Sequence, residues 1–169
     1  MTDDFGHLLT HEMPRLKRYA RALTRDVTRA DDLVQSCLGR ALMKSHLWER
    51  GTDLRAWLFT ILHNQYVNDV RRAVREGISV PIDDIGMGPT VRATQDTGLE
   101  LRDLQEAIDG LPEEQRQVLL LVGLEGMRYE EVASLLHVPV GTVRSRLSRG
   151  RQALRDYWGM NDMEKSVAA

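Results

Sequence analysis

Apolar residues recur at steps of three and four along nearly the whole chain, and the pattern stops once, between Gly77 and Gly98. That interruption constrains the fold more than any other feature. It predicts an all-α protein of two small helical domains, residues 1–76 and 99–158, joined by a flexible linker at 77–98. A disordered tail is expected at 159–169. Gly77, Pro81, Gly86, Gly88, Pro89 and Gly98 punctuate the linker, which is polar and acidic. A flexible chain of that length has an r.m.s. span of roughly 25 Å. Two modules joined in this way are able to touch separate sites on one extended partner. The patch from Ile78 to Ile85 is expected to dock on a domain. With 169 residues, 42% of them hydrophobic, each domain has a thin core.

In the first domain Leu9, Met13, Leu16, Ala20 and Leu23 mark one helix, with Pro14 predicting a kink or a start. Arg15, Lys17, Arg18 and Arg21 decorate it and read as a solvated face. Thr28 is the candidate N-cap of the next helix, with Asp31 three residues on. Ala30, Leu33, Val34, Cys37, Leu38, Ala41 and Leu42 form its apolar stripe, which makes Cys37 a small core residue. Asp31, Asp32 and Gln35 lie off that stripe and face solvent or a partner. His46 to Asp53 reads as a loop, and Thr52 or Asp53 caps a helix from about Leu54 to Arg75. Leu54, Leu58, Ile61, Leu62 and Val70 supply the buried side of that helix. Asn64, Asn68, Arg72 and Arg75 share another face. Asparagine and arginine are the side chains that hydrogen-bond base edges and phosphates.

The second domain opens near Leu99, with Leu101, Leu104, Ile108 and Leu111 in one stripe. Pro112 suits the first turn of a helix whose apolar run, Val118 to Val122, closes near Gly126. Next comes helix-turn-helix logic: a short helix from Tyr129 to Leu136, a turn at 137–140, and a second helix starting at Gly141-Thr142. Ala133 is small where the helices must cross. Val132, Leu136, Val143 and Leu147 pack between them. Arg144, Ser145, Ser148 and Arg149 stay on the outer face near the helix start, where a recognition helix meets the major groove.

The net charge of −2 argues against nucleic acid only on average. Asp83 to Glu114 holds nine acids and two arginines, whereas Gly141 to Asp156 holds five arginines and one acid. Screening confines such fields to about 8–10 Å, so the local balance decides. No run of about 18 apolar residues is present, so no membrane span is expected. Met1 to Leu9 lacks the form of a secretory signal. The single cysteine excludes an internal disulfide and fits a cytoplasmic location. His7, His11, His46, His63 and His137 show no metal spacing with carboxylates. A phosphate-binding glycine loop and a nucleophile elbow are both missing. The expectation is a protein without metal or cofactor, and not an enzyme.

VPVGTVRSRLSRGR, Val138 to Arg151, strongly resembles the promoter-reading region of sigma factors, as does the preceding LPEEQRQVLLLVGLEGMRYEEVASLL. ADDLVQSCLGRAL is similar to the polymerase-binding helix of that family, and GTDLRAWLFTILHNQYVNDVRR to its promoter-opening helix. Together these cover about residues 8–76 and 99–158. The resemblance is to the small extracytoplasmic-function group of the sigma-70 family, because the extra domains of the large housekeeping members are absent. It makes the first domain sigma region 2 and the second sigma region 4. It implies that Asp31, Asp32 and Gln35 dock on the clamp coiled coil of core RNA polymerase, with the flap as a further polymerase contact. It implies that Asn64, Asn68, Arg71 and Arg72 contact the minus-ten element, while 46–53 and the helix start near Arg55 capture an extruded base. Arg144, Ser145, Ser148 and Arg149 then read the minus-thirty-five element. The implied partners are core RNA polymerase, promoter DNA and an anti-sigma factor. Trp48 either stacks on a base or anchors its loop, the second being the plainer reading; Trp57 belongs to the core. His137 departs from the family, standing where the turn usually carries glycine, and predicts a local cost of roughly 1 kcal/mol. The alternative is a helix-turn-helix regulator that is not a polymerase subunit, which leaves the first 76 residues without a role.

Overall fold

The computed structural model describes residues 2–78 and 95–167, with side chains over 4–78 and 100–159. Two compact units divide at Gly88–Pro89. Every regular element among the described residues is helical.

The first unit is three helices, α1 (Thr2–Thr24), α2 (Val27–Met43) and α3 (Leu54–Arg75), each packed on the other two. Leu16, Tyr19, Ala20 and Leu23 of α1 meet Ala30, Leu33, Val34, Cys37 and Ala41 of α2 and Leu58, Phe59 and Leu62 of α3. The Tyr19 and Phe59 rings lie 5.2 Å apart at the centre. Helix α1 runs through Pro14 rather than starting there. Pro14 is exposed, so water can hydrate the carbonyl that its missing N–H leaves unpaired. Arg25 takes a left-handed conformation, φ 56°, and turns the chain into α2. The cap of α2 is Asp26, not Thr28: its backbone is extended and its carboxylate accepts the Arg29 N–H at 2.8 Å. Asp53 caps α3 in the same way, accepting from the Ala56 N–H. Leu42 departs from its expected stripe and is 53% exposed, because it lies about 100° round the helix from the buried Ala41, beyond the edge of the packed face.

The second unit holds α4 (Gln95–Asp109), α5 (Glu113–Leu119), a π-helical turn (Leu120–Leu124), α6 (Tyr129–Leu136) and α7 (Val140–Val167). Helix α4 starts at Gln95, inside the expected linker, and takes in Gly98; a glycine inside a helix costs only about 0.5–1 kcal/mol. Leu101 is exposed, while Ala107 and Leu111 carry the burial. Pro112 sits one place earlier than expected, as the N-cap of α5. The π turn closes where the Glu125 N–H donates to the Leu120 carbonyl at 3.0 Å, and Gly126, at φ 65°, ends it. Helix α7 continues to Val167, across residue 159 where the tail was expected to begin. No proline interrupts that stretch, and extending an existing helix costs far less than nucleating one. Most of the expected linker, and the Ile78 to Ile85 patch apart from an exposed Ile78, lie outside the described residues.

Candidate nucleic-acid interface

Helices α6 and α7 are joined by the tight turn His137-Val138-Pro139. His137 adopts φ 55° and ψ 44°, the left-handed geometry that its place in the turn demands. The Val138 N–H donates back to the Ala133 carbonyl at 3.0 Å, closing α6. Val132, Ala133 and Leu135 of α6 are buried, as are Val143 and Leu147 of α7. Leu135, rather than Leu136, is the deeper residue, and Leu136 is half-buried. Gly150 is also buried, where an added Cβ would sit 3.6 Å from Gln115 and Leu119 of α5.

With that face of α7 turned inward, Arg144, Ser145, Ser148 and Arg149 are all exposed. At about 100° per residue they fall into two rows. Arg144 and Ser148 form one, Ser145 and Arg149 the other. The first row continues with Arg151 and Arg155, both exposed, and a shallow groove is lined by Tyr129, Arg144, Leu147, Ser148, Arg151 and Arg155. The second row continues with Gln152 and Asp156, which are hydrogen-bonded to each other at 2.8 Å. Arg146, the remaining arginine of the motif, points inward to Glu114 of α5 at 3.1 Å and ties α7 down. The Ser145 hydroxyl donates to the Thr142 carbonyl at 3.0 Å and remains exposed, with acceptor capacity left over. The Arg144 guanidinium lies over the Tyr129 ring, 5.9 Å from its centroid. The first turn of α6 is fixed by Glu131, whose carboxylate accepts from the Arg128 backbone N–H at 2.8 Å and from its guanidinium at 2.9 Å.

On α3, Asn64, Asn68, Arg71 and Arg72 are exposed within one arc of about 100°, and Arg75 joins them. The rest of the circumference buries Phe59, His63 and Gln65 besides the expected Leu58 and Leu62, with Gln65 at the edge next to Arg72. Leu54, Ile61 and Val70 are only half-buried. In the segment before α3, Ser45–Leu47 forms one 3-10 turn and Gly51 takes φ 95°. Trp48 packs on Phe5 with ring centroids 5.6 Å apart, and Trp57 meets the same ring edge-on at 6.4 Å. Trp48 therefore anchors its loop to α1. On α2, Asp32 and Gln35 are exposed, whereas Asp31 is half-buried and its Oδ1 is closed off from solvent.

Sequence reasoning missed Tyr129, Arg151 and Arg155. The two arginines were findable, seven and eleven residues beyond Arg144, a spacing that keeps one helix face. Tyr129 was not, because its nearness to Arg144 depends on how the turn folds. Among the described residues no group of histidine, cysteine and carboxylate side chains is arranged to hold a metal, and no helix is long and apolar enough to cross a membrane.

Comparison with known proteins matches residues 101–154 to the family described as sigma-70, region 4, and residues 9–63 to the sigma2 domain of PhyR. The ECF RNA polymerase sigma factor EcfG of Rhodopseudomonas palustris is 38% identical over 156 residues, which is 91% of this chain and 84% of that protein. The sigma factor RpoE in its co-crystal structure with the anti-sigma factor NepR from Bartonella quintana superposes with a TM-score of 0.77. It is 33% identical, and the match covers 92% of this chain and 97% of RpoE. CnrH, solved in complex with the cytosolic domain of CnrY, gives a TM-score of 0.68 at 25% identity, covering 95% of this chain and 90% of CnrH.

Proposed function

The chain belongs to the extracytoplasmic-function sigma factors, and on that premise we propose that it binds core RNA polymerase and directs transcription from promoters read at two elements. The observation that carries this reading is the division of labour on α7. Val143, Leu147 and Gly150 are buried against the unit while Arg144, Ser145, Ser148 and Arg149 all face out. Arginine and serine at the start of an exposed helix suit base edges and phosphates in a major groove. In this reading residues 99–158 engage the minus-thirty-five element and residues 1–76 engage polymerase and the minus-ten element, with 77–98 as connector. Asn64, Asn68, Arg71 and Arg72 are assigned to the minus-ten element, and Asp31, Asp32 and Gln35 to the polymerase clamp.

Regulation by an anti-sigma protein is part of the proposal. RpoE was solved with the anti-sigma factor NepR, and CnrH with the cytosolic domain of CnrY. The protein acts as a non-catalytic regulatory subunit where the polymerase is, in the cytoplasm. A regulator that is not a polymerase subunit would leave the Asp32–Gln35 face and the Asn64–Arg75 face without a role. Run-off transcription with purified core polymerase tests the reading. Addition of the full chain is expected to produce discrete transcripts from a promoter library with core polymerase and no other sigma factor. Transcription that still requires a second sigma factor would overturn it.

A further inference from the structure

Two arginines of α7 lie in unlike surroundings. Arg149 projects with Ser145 from a row whose next members, Gln152 and Asp156, bond to each other. Gln152 also accepts from one Arg155 nitrogen at 2.7 Å, leaving the other guanidinium N–H groups of Arg155 to face outward. Arg144 projects with Ser148, Arg151 and Arg155 along a row about 16 Å long. The Tyr129 ring flanks its first turn. A ring over one face of a guanidinium restricts the long side chain and leaves its in-plane N–H groups free to donate. A line of three cations that long outreaches the few bases a recognition helix touches and suits a strand of phosphates.

We infer that Tyr129 is a positioning residue: its ring holds the Arg144 guanidinium in the groove between α6 and α7, so that Arg144, Arg151 and Arg155 grip one DNA strand by its phosphates. Sequence discrimination is left to the Ser145 and Arg149 row. The inference rests on the reading of α7 as the minus-thirty-five helix and adds a residue from the preceding helix to it. The backbone around Tyr129 is itself fixed, since Tyr129 begins α6 and the Arg128–Glu131 bonds hold that turn.

The test uses the full chain assembled with core polymerase, on a promoter that this holoenzyme selects from a randomised library. Binding is measured at several salt concentrations and on single-base changes of the minus-thirty-five element. Tyr129→Leu keeps an apolar contact and removes the π face. It is expected to weaken binding roughly two- to five-fold on every sequence, the share of an exposed cation–π contact. The salt slope should fall toward that of Arg144→Ala, about one unit below the parent. Base preferences should not change. Tyr129→Phe should restore the parent behaviour, and Tyr129→Leu should add nothing in an Arg144→Ala background. A Tyr129→Phe variant as weak as Tyr129→Leu would mean that the hydroxyl touches DNA itself and would overturn the positioning role. So would equal losses from Tyr129→Leu with and without Arg144, which mark a folding defect. A change of base preference in Tyr129→Leu would overturn the phosphate assignment. A parent holoenzyme that selects no minus-thirty-five letters would remove the reading of α7, and this inference with it, a failure distinct from the others.

Discussion

At Cys37 the side chain is sealed between α2 and α3, fully buried, with its thiol donating to the Leu58 carbonyl at 3.5 Å. Burial pushes that thiol up from 9.0 to about 12, against a weaker downward pull from Arg40. At pH 8 it is neither ionised nor accessible, so an alkylating reagent should label it only as the first unit opens. Labelling should therefore rise with denaturant along the unfolding curve, and prompt labelling in native buffer would contradict the assignment. The unfolded thiol ionises near 9 and the folded one only near 12. Cys37 thus leaves stability flat below pH 9 and lowers it as pH climbs from 9 toward 12. At His137 the backbone, not the side chain, is the constraint. A left-handed φ of 55° strains any residue with a Cβ. His137→Gly should raise the stability of the second unit by roughly 0.5–1 kcal/mol, offset in part by the greater freedom of glycine in the unfolded chain. A thermal melt reads this directly, and a lower Tm would show that the imidazole makes a contact worth more than the strain.

Single elements sort the polar residues that sequence alone had grouped. Helix α2 is capped by Asp26, so Asp32 has no part in starting it. Asp32→Arg should leave helical content and melting within about 0.5 kcal/mol of the parent, as surface changes do, yet weaken association with core polymerase in a competition assay. Unchanged affinity would remove the acidic face from the docking surface. Asp31 is the poorer probe, since one of its carboxylate oxygens is buried. On α7, Arg149→Ala should cost about 1–3 kcal/mol on the cognate element and relax preference at one base position, while keeping the salt slope. A uniform loss across all sequences would turn Arg149 into a phosphate contact. The spans of α3 and α6 and the outward face of α7 were legible because three-and-four periodicity, Asp53 and the short turn mark them. Burial of Phe59, His63 and Gln65 was not, because α3 packs against two helices and so buries a wider arc than one apolar stripe reveals. Exposure of Leu42 escaped because it sits about 100° round α2 from the buried Ala41, at an edge position where apolar character alone does not decide burial. The π turn at Leu120–Leu124 has no local signal, since it is set by how α5 must lead into Gly126.

For the molecule as a whole, each unit has its own core, drawn from its own helices. Residues 1–88 and 89–169 expressed separately should each keep helical circular dichroism and melt cooperatively, with modest stability because small cores bury little surface. A fragment that melts without a transition would show that its unit depends on the other. Along α7 the residues that fold the unit and those that face out are different residues: Val143, Leu147 and Gly150 on one side, Arg144, Ser145, Ser148 and Arg149 on the other. An outward set that supports no core is free to vary. On the reading proposed above, after a gene duplication one copy can drift at Ser145 and Arg149 and answer to a new collection of promoters while its folding stays as it was. The address and the envelope are inherited together but edited apart.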